Sequence, residues 1–244
     1  MRELMDKLHH FKNAIVIAVI FAISGCGGSN TYTPLQSYEP ADEAARLLEK
    51  GKPQEAITVL EDALKEEPEN YRWISMLALA YAQRAGVAPI DFVEELGTSA
   101  ASGESSANGI TSLFGVTPPA TRQNIADVDY AISLMTQLPA DQLTDAEKLK
   151  LSIFQTASTV LKIKALDTNG DGAVSTAELL DLGLDTAESI LTGLITASGL
   201  LAGGGSNASS GGDAAASQIE AMVSGINGQP GSNAKDKLAS YLGT

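Results

Sequence analysis

The chain of 244 residues holds one cysteine, two histidines and one tryptophan, and aromatic residues make up only 5% of it. Each scarcity excludes something. A single cysteine permits no disulfide within the chain, and zinc sites usually draw on several His or Cys side chains. His9 and His10 are confined to the first ten residues, so Ser-His-Asp and Cys-His arrangements have no histidine to use beyond them. General acid–base chemistry most often uses histidine as well. Carboxylate chemistry remains open, but no acid pair outside residues 167–178 stands out, and the expectation is a protein that is not an enzyme. Strand-like alternation of apolar and polar residues is also missing, which leaves an all-α fold as the expected class.

The N-terminus carries the first positive signal. Arg2, Lys7 and Lys12 precede Ala14 to Ile23, an uncharged apolar run of ten residues. Ten falls far short of the ~20 residues a membrane-spanning helix needs, and this order of parts is that of a signal peptide over residues 1–25. Ile23-Ser24-Gly25-Cys26 resembles the bacterial lipobox, in which an aliphatic residue and two small ones precede a modified cysteine. The resemblance implies diacylglycerol on the Cys26 sulfur, cleavage before Cys26 and frequent acylation of the new amine. Two or three acyl chains anchor firmly where one is marginal. A glycine rather than an aspartate at position 27 implies, by the same resemblance, an outer-membrane lipoprotein facing the periplasm. The plainer alternative is a secreted protein with a chance cysteine.

Charge narrows the partners. The chain has a formal net charge of −14, and the first 25 residues carry three basic and two acidic side chains, so the remainder stands at −15. With no basic patch to release counterions, nucleic acid and anionic lipid surfaces are poor partners.

Residues 26–40 read as a tether, rich in turn residues and without periodicity. From 41 to 96 the spacing is helical. Ala44, Leu47 and Leu48 share one face; Ala56, Ile57, Leu60, Ala63 and Leu64 line a second helix; Trp73, Ile74, Leu77, Ala78 and Tyr81 line a third. Gly51 marks a turn, Pro53 can open the second helix, and Pro68 closes it. With Gly51, Ala56, Leu60, Ala63 and Pro68, followed by Trp73, Leu77, Ala78 and Tyr81, this stretch resembles a tetratricopeptide repeat (TPR), a 34-residue helix pair with small residues at the crossing. The resemblance implies helical hairpins presenting a groove to a protein or peptide. An ordinary antiparallel hairpin reads the same residues more simply, and no second signature follows Gly86.

Residues 97–120 are small, polar and rich in glycine, and read as a linker between halves, with Ile110–Phe114 as a docking clip. Region 121–202 is helical again. One helix covers Arg122 to Leu138. Thr144 and Glu147 form a capping box opening a second, to about Ala165. Ser175 and Glu178 form another, opening a third to about Ser198, whose apolar Ile190, Leu191, Leu194 and Ile195 mark it as the central core helix. Residues 203–213 read as a Gly/Ser loop, and 214–244 as two short helices.

The sharpest motif is Asp167-Thr-Asn169-Gly-Asp171-Gly172-Ala173-Val174-Ser175-Thr-Ala-Glu178. It resembles the EF-hand loop at every constrained position. Calcium is a hard cation that takes six to eight oxygens at roughly 2.3–2.6 Å. The alternation of Asp167, Asn169 and Asp171 brings their oxygens to one side, and Gly172 permits the sharp turn. By the resemblance, Ala173 lends its backbone carbonyl, Ser175 binds directly or through water, and Glu178 binds with both oxygens. Val174 takes the apolar place through which EF-hands pair; with a single loop, either it packs on this chain's own helices, the favoured expectation, or two molecules pair through it. The expectation is a calcium-binding envelope lipoprotein, a helical scaffold with a periplasmic protein partner and a structural Ca2+. The alternative is a ligand-binding or transporter-associated lipoprotein with an apolar pocket between helices.

Overall fold

A computed structural model describes residues 39–102, 106–172, 174–202 and 210–242, which form eleven helices and no strand. The all-α class is as the sequence leads one to expect. Cys26, the signal segment and most of the tether lie outside the described residues, as do Ala173 and 203–209.

The first three helices follow the expected pattern. They are α1 (Pro40–Glu49), α2 (Pro53–Glu66) and α3 (Tyr71–Arg84). Proline opens α1 and α2, where a missing N–H costs no helical hydrogen bond. Gly51 turns the chain between them at φ +68°, a left-handed conformation that suits glycine. Asn70 caps α3, its side-chain oxygen accepting the Trp73 N–H at 3.3 Å. Ala44, Leu47, Leu48, Ala56, Leu60, Leu77 and Ala78 are all buried. α2 packs on both α1 and α3, which also touch each other.

The next segment departs from the expectation. Residues 97–120 are not a linker: α4 runs over Pro89–Ser102 and α5 over Ser106–Val116. Phe92, Leu96, Ile110, Leu113 and Phe114 are buried in the same core as α1–α3. Weak helix formers such as Ser, Thr and Gly hide the periodicity here, and burial overrides that local preference. Nor is there a boundary at this point, since one apolar core extends from Ala41 to Tyr241. The helix that packs closely on the far side of α3 is not α4 but α6 (Arg122–Met135), while α4 and α5 turn away to lie on α10 (Ser210–Asn227).

α7 (Asp145–Lys164) is the centre of the molecule. Every residue from Leu151 to Leu161 is buried, and the helix touches α3, α4, α5, α6 and α9. Its predicted capping box is present: the Glu147 N–H is donated to Thr144 Oγ1 at 3.3 Å and the Thr144 N–H to Glu147 Oε2 at 2.9 Å. The helix expected from Ser175 to about Ser198 is two helices, α8 (Thr176–Leu180) and α9 (Leu184–Ala202). The break lets both Leu179 and Leu182 enter the core. α9 is not the central helix: Ile190 and Leu194 are fully buried, but Ile195 is 47% exposed. α10 starts at Ser210, inside the stretch read as a Gly/Ser loop, and α11 (Ala234–Leu242) closes the chain on α8, α9 and α10. Among the described residues no helix is long and apolar enough to cross a membrane.

Candidate functional site

The loop from Asp167 to Glu178 joins the C-terminal end of α7 to α8. Gly170 and Gly172 adopt φ +74° and +83°, conformations that an L side chain strains to reach. The Asp167 carboxylate sits inside the turn they make. Its Oδ1 accepts N–H groups from Gly170 at 2.7 Å and Asp171 at 3.2 Å, and its Oδ2 accepts the Gly172 N–H at 2.9 Å. Asn169 Oδ1 accepts the Asp171 N–H at 2.8 Å, and Asn169 Nδ2 donates to Asp171 Oδ2 at 2.9 Å.

Glu178 closes the loop from the other end. Oε2 accepts the Ser175 N–H at 2.9 Å and the Ser175 hydroxyl at 2.8 Å. Oε1 crosses to the loop's entry and accepts the Thr168 N–H at 2.8 Å and the Asn169 N–H at 3.3 Å. The Ser175 N–H, the Ser175 hydroxyl and the Thr168 N–H together hold this carboxyl well below the usual range, at about 2. Val174 is buried in the protein's own core, the favoured of the two expected arrangements.

The structure therefore brings Asp167, Asn169, Asp171, Ser175 and Glu178 into one closed loop; Ala173 is outside the described residues. In this arrangement the carboxylates face N–H groups rather than one another. Among the described residues no three His, Cys, Asp or Glu side chains are spaced to hold a metal ion. The donor set nonetheless fits a hard cation in kind. Five oxygen-bearing side chains stand in loop order, three of them carboxylates, on a turn that two left-handed glycines make possible.

Two clefts flank α7, and neither was evident in the sequence. One is an apolar groove of about 750 Å³ between α4 and the N-terminal half of α7. Ile90, Val93, Leu149 and Ile153 line it, with Glu94 and Lys150 among its walls. Ile90 is 79% exposed. The Lys150 ammonium donates to Ser75 Oγ at 3.2 Å. The helical character of α4 was the missing signal here.

The other cleft is a polar trough of about 650 Å³, with α7 as its floor and α6 and α9 as its walls. The floor residues Gln155, Ser158, Thr159 and Lys162 recur at i, i+3, i+4 and i+7, a polar stripe along one face of the helix. That spacing is visible in the sequence once α7 is known to be the central helix. Asp129 on α6 accepts the Ser158 hydroxyl at 2.6 Å and the Lys162 ammonium at 3.0 Å, both on Oδ1. Four other hydroxyls donate to backbone carbonyls of their own or the facing helix. Ser133 donates to the Tyr130 carbonyl, Thr136 to that of Ser133, Thr159 to that of Ile190 and Thr196 to that of Thr192. Gln155 is buried, and its Oε1 has no hydrogen-bond partner. An unmade hydrogen bond of this kind costs about 1–3 kcal/mol.

Comparison with protein-family models, curated proteins and solved structures finds no match to this chain.

Proposed function

We propose that this chain is a calcium-binding, non-enzymatic scaffold of the bacterial envelope. It is anchored by lipid on Cys26, and its TPR-like helices α1–α3 engage a protein partner in the periplasm. The observation that carries the calcium reading is the loop itself: Gly170 and Gly172 in left-handed conformations wrap the backbone around Asp167, while Glu178 spans the loop from its twelfth position back to its second. Asp167, Asn169, Asp171, Ser175 and Glu178, with the Ala173 carbonyl, would hold Ca2+. The ion would supply two positive charges between α7 and α8, offsetting the repulsion among three carboxylates. Because Val174, Leu179 and Leu182 are all buried next to the loop, the ion's role is to fix the angle at which α7 meets α8.

The test is calcium titration of the full chain by calorimetry, beside Glu178→Gln, with thermal melting at each point. Binding at or below millimolar Ca2+, lost in the variant and accompanied by a higher melting temperature in the parent, supports the reading. Equal behaviour of the two proteins overturns it.

The apolar groove between α4 and α7 favours a second reading, a carrier of a small apolar ligand. Its volume of about 750 Å³ lies within the range of ligand sites, roughly 300–1,000 Å³. Displacement of a solvatochromic dye by long-chain alcohols, abolished by Ile90→Glu, would support it. A dye that never binds would remove it.

A further inference from the structure

The apolar groove between α4 and α7 carries a charge pattern as well as a volume. Ile153 forms a buried floor, 3% exposed, and Leu149 stands one turn before it on the same face of α7. Ile90 and Val93 line the facing α4, three residues apart on one face of that helix. The lining runs from Ala146 to Ile153 on one side and from Ile90 to Gly97 on the other, about 10 Å along each helix. An alkyl chain laid along the helices fits a lining of this kind.

Two charged side chains border it, and their settings differ. Glu94 is exposed, so water hydrates its carboxylate. Lys150 is half-buried, and its ammonium is drawn inward to the Ser75 hydroxyl at 3.2 Å, on a residue only 3% exposed. Lys150 makes no ion pair with any described residue. An ammonium partly stripped of water and held by a neutral hydroxyl is uncompensated, and an anion beside it offsets the cost of desolvation. Two of its three N–H donors remain for that anion. An apolar lining with a few polar groups that fix orientation is the usual build of a ligand site. Here the polar group is a cation at the edge of the apolar lining.

We propose that the groove binds a single-chain fatty acid, with its alkyl chain along Ile90, Val93, Leu149 and Ile153 and its carboxylate on the Lys150 ammonium. This rests on the carrier reading above and adds the charge of the headgroup to it.

The experiment is titration of the full chain with decanoate and, separately, with decanol at neutral pH, followed through the δ1-methyl resonances of Ile90 and Ile153. The protein is held in nanodiscs, because detergent monomers would compete for the groove, and affinities are referred to the free ligand measured over protein-free discs. Both methyls should shift saturably. Decanoate should bind about tenfold tighter than decanol, the worth of one charge-assisted hydrogen bond. Lys150→Met should abolish that preference and leave decanol binding as it was, while Lys150→Arg should keep it. Equal affinities for acid and alcohol in the parent, or an acid preference that survives Lys150→Met, would overturn the proposal and leave the carrier reading standing. If Lys150→Met lowers the melting temperature sharply, the acid-to-alcohol ratio of the parent decides by itself. If neither ligand shifts the methyls, both readings fall, and a dimer in sedimentation that Ile90→Glu dissociates would then identify a second copy of this chain as the occupant.

Discussion

Arg84 reaches from α3 to α6 and grips Asp127 with one edge of its guanidinium, Nε at 2.8 Å from one carboxylate oxygen and Nη2 at 2.6 Å from the other. The Asp127 side chain is only 4% exposed. Gln123 donates to the same carboxylate at 2.7 Å, Gln54 on α2 accepts from Arg84 at 2.8 Å, and the guanidinium lies 4.5 Å over the Tyr81 ring. This one cluster ties α2, α3 and α6 together.

Removing the acid leaves a partly buried guanidinium without its partner. Asp127→Ala should cost about 2–3 kcal/mol, below the 3–5 of a fully buried pair because Arg84 can still reach water. In a protein of this size that lowers the melting temperature by on the order of 5–10 °C. Chemical denaturation of the two proteins checks it. A change under about 0.5 kcal/mol would mean that α3 and α6 hold together without the pair.

α4 and α5 belong to the core, so truncating their buried side chains should be expensive. Leu113 is fully buried, and Leu113→Ala should cost about 2–5 kcal/mol. Ile90→Ala, at a 79% exposed position, should stay within about 0.5 kcal/mol. If Leu113→Ala were as mild as Ile90→Ala, the segment would be the linker its composition suggests.

Calcium should raise stability by mass action, about 2.7 kcal/mol when the free ion reaches a hundred times its dissociation constant. Removal of the ion with a chelator should reverse the gain. Glu178→Gln should show neither effect, although its capping role at α8 loses only part of its strength. Melting curves across a calcium series, with and without chelator, provide the check.

The Glu178 carboxyl titrates at about 2, depressed below the usual 4.5 first by the Ser175 N–H and next by the Ser175 hydroxyl. Its folded value lies below the unfolded one. Its contribution to loop closure is therefore fully present above the usual carboxylate range and is lost as pH falls through about 2. In the calcium-free protein, the amide resonance of Thr168, which donates to Glu178 at 2.8 Å, should shift with a midpoint near 2. A midpoint near 4 would show the carboxylate free of the loop.

Much of this molecule is legible in the order of its residues, because the controlling interactions are short-range. Helices α1–α3, the Thr144–Glu147 and Ser175–Glu178 capping boxes, and the glycines of the 167–178 loop each depend on neighbours within a turn or a dozen residues.

Three features depended on contacts between distant parts of the chain. α6 rather than α4 lies against α3, through Arg84 and Asp127. Residues 97–102 and 106–116 are helical although glycine, serine and threonine blur their periodicity, because Phe92, Leu96, Ile110 and Leu113 find a surface on the rest of the core. α7 rather than the more apolar α9 became the centre, and its polar stripe consequently became the floor of a trough. Local sequence determines which segments coil and where they start, through hydrogen bonds and spacing within a turn. Which coil is surrounded, and which polar side chains are left facing a cleft, was decided only by how all the apolar faces could be covered at once.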